Sequence, residues 1–160
     1  MRIAPMPVVA LEDLTARLAR EERLLGLDVG QKTIGMALSD TRRVVASPLE
    51  TIRRERLAAD LARVRDIVAR QGVGGFVVGL PIALDGREGP RCQSVRQFAA
   101  DLLKACDRPL AFFDERLSTA AVERLLIDEA DMSRKRRRQV VDKMAAAYIL
   151  QGALDRIHSS

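Results

Sequence analysis

Hydrophobic positions along the chain repeat with two periods, and the switches between them mark out the elements. Apolar residues run up to Asp28, Gly30 opens a turn and a second apolar run begins at Ile34, so residues 24–40 predict two β-strands joined tightly. Residues 44–52 predict a third strand, which Pro48 confines to an edge or a bulge because it has no N–H for a ladder. Over residues 55–70 the period becomes helical, with Leu57, Leu61, Val64 and Val68 on one stripe and Arg63, Arg65 and Arg70 mostly away from it. The run 74–80 is continuously apolar, as a central parallel strand buried on both faces requires. A polar loop punctuated by Gly and Pro follows over 82–90. Residues 91–106 then place Val95, Phe98, Leu102 and Cys106 on the inner side of a helix, and residues 110–115 form a strand ending in charge. Ser118 or Thr119 is placed to cap a helix containing Val122, Leu125 and Leu126, and a last helix covers roughly 139–157. Ahead of all this, residues 1–10 predict an irregular arm, and Leu11, Leu14 and Leu18 mark a short amphipathic helix within 11–22. The order β-β-β-α-β-α-β-α-α predicts one α/β domain over 23–157 preceded by the 1–22 arm, with an antiparallel hairpin region joined to parallel strands by crossover helices.

Composition narrows the classes open to such a domain. The 160 residues are enough to bury a core, and 48% hydrophobic with 31% charged residues describes an ordinary globular chain. Aromatics at 3%, with no Trp, argue against a stacking platform for single-stranded nucleic acid. A net charge of +5 favours polyanionic partners. Cys92 and Cys106 make neither a metal spacing nor a disulfide framework, and within one helix they would stand roughly 21 Å apart, too far for a bridge. Two free thiols, no apolar run of membrane-spanning length and no signal-peptide core lead us to expect a cytoplasmic protein with no membrane association.

Three groups of acids then require an explanation. Asp28 ends a hydrophobic strand, where a carboxylate is costly to desolvate unless a cation or hydrogen bonds compensate it. Asp114 and Glu115 end another strand, and ligands of open α/β sheets collect beyond such ends. Because successive strand residues face opposite ways, only one of that pair can point to any shared site. Asp142 shares a helical face with Ala145, Ala146 and Ile149, a small apolar stripe that lets its helix lie close to a sheet. Each acid singly could be satisfied by a nearby arginine. Together at element ends, they point to divalent metal, since converging like charges would otherwise force protonation or expulsion.

Four motifs occur in order: Asp28-x-Gly30-x-Lys32-x-Ile34-Gly35-x-Ala37; Val77-Val78-Gly79-Leu80-Pro81 with Asp85-Gly86; Asp114-Glu115-Arg116-Leu117-Ser118-Thr119; and Asp142-Lys143-x-Ala145-Ala146-x-x-Ile149-Leu150. From about residue 23 to 155 the chain resembles the YqgF family, relatives of RuvC-type junction resolvases with an RNase H-like fold. The resemblance implies a five-stranded mixed sheet in the order 3-2-1-4-5 flanked by helices. It also implies a Mg²⁺- or Mn²⁺-dependent nuclease with two ions held by Asp28, Glu115 and Asp142. The implied substrate is precursor 16S rRNA at its 5′ end, with ribosomal particles as a possible context. A Holliday junction resolvase and a non-catalytic RNA- or ribosome-binding module are the alternatives. An actin-like ATPase, which opens on a related hairpin, would need a second lobe. Lys32 in the turn, Arg116 and the basic run Arg134-Lys135-Arg136-Arg137-Arg138 are read as nucleic-acid contacts that bind backbone phosphates without reading sequence. The chain departs from the family at Thr33, where many members carry Arg, and at Leu80-Pro81, where resolvase relatives carry a glutamate. The second acid must then come from Glu115 or Asp114, and the resemblance favours Glu115. The lone His158 is read as a solvated tail residue, and the sequence leaves both monomer and homodimer open.

Overall fold

Alternation along strand β1 (Arg23–Val29) divides the domain into two layers: Leu25, Leu27 and Val29 enter one core, while Leu24 enters the other and Gly26 and Asp28 share its side. The structure is a computed structural model that describes residues 8–118 and 134–159. Strand β2 (Thr33–Ser39) pairs antiparallel with β1 and sets Gly35 opposite Asp28. Strand β3 (Ala46–Arg53) pairs antiparallel with β2 at the sheet edge, and Pro48 lies opposite Ala37 beside a register shift. Edge and irregularity together accommodate its missing donor. Strands β4 (Val73–Leu80) and β5 (Leu110–Asp114) extend the other side in parallel, giving the order β3-β2-β1-β4-β5.

Ahead of the sheet lie helix α1 (Leu11–Leu14) and a 3-10 turn (Thr15–Arg17), shorter than the helix expected within 11–22 because Leu18 is already extended. Leu14 is buried in the same core as Leu24, and the Val9 N–H donates to the Leu110 carbonyl at 2.9 Å. Residues 8–14 thus help to cover the β5 edge.

Helices α2 (Leu57–Gln71) and α3 (Pro90–Ala105) cover one face of the sheet, and α4 (Arg134–Ser159) crosses the other. The α2 stripe differs from the expected one. Leu57 is exposed and Asp60 is buried with Val64, Ile67 and Val68. The helix is rotated because Asp60 is drawn inward: its carboxylate accepts from the Glu55 N–H at 2.9 Å and stands 3.6 Å from the Arg54 guanidinium. On α3, Cys92 is buried and Cys106 caps the far end, so both thiols are free. Helix α4 begins ahead of the expected residue 139 and takes the basic run into its first turns. The expected helix around Val122 lies outside the described residues. Among the described residues no helix is long and apolar enough to cross a membrane.

Glycines on β1 and β2 let α4 lie against the sheet. A Cβ at Gly26 would stand 2.8 Å from Leu150 Cβ and 3.2 Å from the Ala146 carbonyl. Gly26→Ala is therefore expected to push α4 outward at a cost of about 1–3 kcal/mol. Thermal unfolding should show this as a Tm lowered by roughly 3–10 °C.

Candidate active site

The turn between β1 and β2 is held from within and from behind. The Gly30 N–H donates to the Thr33 carbonyl at 2.9 Å. Arg54, at the end of β3, donates from its guanidinium to the Gly30 carbonyl at 2.8 Å and from its backbone N–H to the Lys32 carbonyl at 2.8 Å. Arg54 also lies 5.3 Å from the Phe98 ring centre and faces Asp60, which is 1% exposed. A buried carboxylate, a cation and two carbonyls thus tie α2 to the turn. Lys32 is exposed at that turn, and Asp28 is 6% exposed on the strand leading into it.

Helix α4 delivers Asp142 to the same place. Its backbone is so close to β2 that a Cβ at Gly35 would fall 2.1 Å from the Asp142 carbonyl oxygen. Gly35 is the strand partner of Asp28, so residues 28 and 142 flank one point on the sheet. The Thr33 hydroxyl donates to the Asp142 carboxylate. Sequence reasoning treated Thr33 only as a departure from the family and missed this role. The available signal was alternation: Thr33, Gly35 and Ala37 share one face of β2, and that face is small enough to receive a helix.

The choice between Asp114 and Glu115 turns on the end of β5. Leu110 and Phe112 pack toward α2 and α3, and alternation sends Asp114 the same way. There Arg116 grips the Asp114 carboxylate, with Nε 3.0 Å and Nη2 2.7 Å from Oδ2, and its backbone N–H donates to Oδ1 at 3.0 Å. These hydrogen bonds hold the Asp114 carboxyl below the usual carboxylate range and raise Arg116 in turn. Arg116 Nη1 also reaches the carbonyls of Ala83 and Leu84 at 3.4 Å each, tying the 82–90 loop to the strand end. Glu115 begins a 3-10 turn (Glu115–Leu117) and lies against β4 on the α4 face: a Cβ at Gly79 would stand 3.0 Å from its Oε1 and 2.7 Å from Ile149 Cδ1.

Asp28, Glu115 and Asp142 therefore reach one face of the sheet at one end. The parallel register pairs Leu27 with Val78, and one further step brings Asp28 level with Gly79. Asp28 then stands between two glycines, one against Asp142 and the other against Glu115. Among the described residues no three acidic, His or Cys side chains stand close enough together to hold an ion as they are. Residues 134–138 open α4. His158, expected to be solvated, has its Nε2 2.7 Å from the Arg43 carbonyl and so joins the end of α4 to the β2–β3 connection.

A mixed sheet in this order, with helices on both faces, is the architecture of RuvC- and RNase H-like nucleases. RuvC of Thermus thermophilus in complex with a Holliday junction substrate shares it at a TM-score of 0.54 and 15% identity, over 84% of this chain and 94% of that one. The family described as RuvX, Holliday junction resolvase, matches residues 22–156, and the chain belongs to it. A protein of Paramagnetospirillum magneticum is 61% identical over 94% of this chain and 96% of its own length, and one of Roseobacter denitrificans is 58% identical over 91% and 90%. Both carry the name "Putative pre-16S rRNA nuclease".

The Arg116–Asp114 pair has a definite pH signature. A depressed carboxyl stabilises the fold above its ordinary value, 3.8, and loses that contribution as pH falls through the lowered one. Arg116→Ala should therefore lower Tm near neutral pH, and the gap from wild type should close on acidification below the ordinary carboxyl value of 3.8. Thermal melts across that range check this; a constant gap would assign the effect of Arg116 to the loop carbonyls instead.

Proposed function

We propose that this protein is a metal-dependent endonuclease that hydrolyses phosphodiester bonds at the 5′ end of precursor 16S rRNA. The observation that carries the reading is the seating of Asp142 on the strand partner of Asp28, with Glu115 turned onto the same face of the sheet. Membership of the RuvX family supports the nuclease class, and the name borne by relatives above 55% identity supports the rRNA substrate.

The donor chemistry fits a hard divalent cation. All three side chains offer carboxylate oxygens, and the glycines beside Asp28 admit the Asp142 backbone on one side and the Glu115 side chain on the other. Asp28, Glu115 and Asp142 would hold Mg²⁺ or Mn²⁺, two ions in our reading, and the metal would supply an activated water and neutralise charge on the scissile phosphate. The remaining work belongs to other residues. Thr33 holds the Asp142 carboxylate in one orientation. Arg54 and Asp60 fix the turn so that Lys32 can meet a phosphate. Arg116 and Asp114 keep the 82–90 loop at the rim. The basic run 134–138 adds affinity for the backbone without selecting a base.

Cleavage of a 5′-extended 16S precursor and of a four-way DNA junction, each with and without Mg²⁺ or Mn²⁺, tests the proposal. Metal-dependent trimming of the RNA is expected. Asp28→Asn should lower it more than about a hundredfold while RNA affinity changes little. Junction cleavage alone would move the protein to the resolvase reading, and metal-supported binding without any cutting would make it a non-catalytic module. Normal cleavage by Asp28→Asn would falsify the carboxylate scheme.

A further inference from the structure

Behind the hairpin turn, on the α2 and α3 side of the sheet, lies a cavity of about 410 Å³ whose wall includes Gly30, Gln31, Arg54, Glu55, Arg91 and Ser94. Its size falls in the range of ligand pockets. The wall holds two arginines and one glutamate, and Arg53 and Arg56 add positive charge to the same connection. Gln31 and Ser94 contribute neutral donors. Arg54 is anchored by Asp60 and Gly30, so one cation of the wall is fixed in place. Arg91 is exposed and supplies the other.

Position gives the cavity its meaning. Gly30 and Gln31 belong to the turn that carries Lys32, four residues beyond Asp28. The acids lie on the α4 side of the strand ends and the cavity on the opposite side. A nucleic-acid strand passing over the turn would meet the acids, then Lys32, then the cavity.

We infer that this cavity is a phosphate subsite, in which Arg91 and Arg54 take a backbone phosphate of the strand being cut, displaced along it from the scissile bond. The inference rests on the nuclease reading and extends it: the substrate is gripped on both sides of the hairpin, so a flanking segment on the cavity side is needed for tight binding. An Arg is suited to the task because its planar fork matches phosphate oxygens.

Binding of a single-stranded oligoribonucleotide to Asp28→Asn protein, titrated across salt concentrations, tests this without interference from cleavage. Adding Arg91→Ala should weaken binding about tenfold at low salt. It should also reduce the slope of log affinity against log salt by about 0.7, the release of one contact on a single strand. Arg65→Ala is the control. Arg65 is exposed on α2, and its charge is felt by Cys106 at the other end of α3. An Arg91→Ala variant that behaves like this control would overturn the inference. Inorganic phosphate provides the other arm: if Arg91→Ala weakens its competition with RNA but leaves RNA affinity and salt slope intact, the cavity takes a free anion, and the strand assignment is wrong. Absence of cleavage by the wild-type protein is a separate outcome. It removes the nuclease reading, whereas the salt titration still reports whether the cavity holds a phosphate.

Discussion

The acidic site depends on how closely the backbone of α4 approaches β1 and β2. At Gly35 there is no room for a single additional carbon, and at Gly26 the space is taken by Leu150 and the Ala146 carbonyl. The facing positions on the helix are small as well: Ala145, Ala146 and Ala153 are all buried. Close contact between backbones sacrifices side-chain burial at those points. The larger residues Ile149, Leu150 and Leu154 compensate by filling the adjoining core with Leu24, Val77 and Phe113. The result is a helix held at a fixed height and rotation. Asp142 therefore reaches the partner strand of Asp28 rather than solvent.

Acids in this fold stand in two settings, and the sheet separates them. On the α2 and α3 side, Asp60 and Asp114 are each coupled to an arginine that itself holds a loop: Arg54 the hairpin turn, Arg116 the 82–90 segment. These pairs are structural, and the hydrogen bonds from the guanidinium groups to backbone carbonyls transmit their rigidity to segments that would otherwise be fixed only at their ends. On the α4 side, Asp28, Glu115 and Asp142 reach the same end of the sheet, and the Thr33 hydroxyl orients Asp142.

Local periodicity was enough to read five strands, the covering helices and the position of Asp28, because alternation and helical stripes record burial directly in the residue types. The four motifs extended that reading to the sheet order and the family. On α2 a polar contact overrode the hydrophobic pattern. Leu57 gave way to Asp60 on the inner face of α2 because Arg54 and the Glu55 N–H reward a carboxylate there. The α1 helix stopped early because the chain turned to enter β1.

What the sequence determined by itself is therefore the set of buried elements and which acids stand at their ends, since both follow from spacing within a short window. Only the tertiary structure decided which of Asp114 and Glu115 lies on the α4 face of the sheet, the face of Asp28. The strand passes into a 3-10 turn at that point, and side-chain direction then depends on Arg116, the 82–90 loop and Gly79 rather than on alternation alone. The partnership of Thr33 with Asp142 likewise spans 109 positions of chain and exists because two glycine-bearing strands admit the helix. No local pattern encodes a contact of that kind; it arises when distant surfaces are packed against one another.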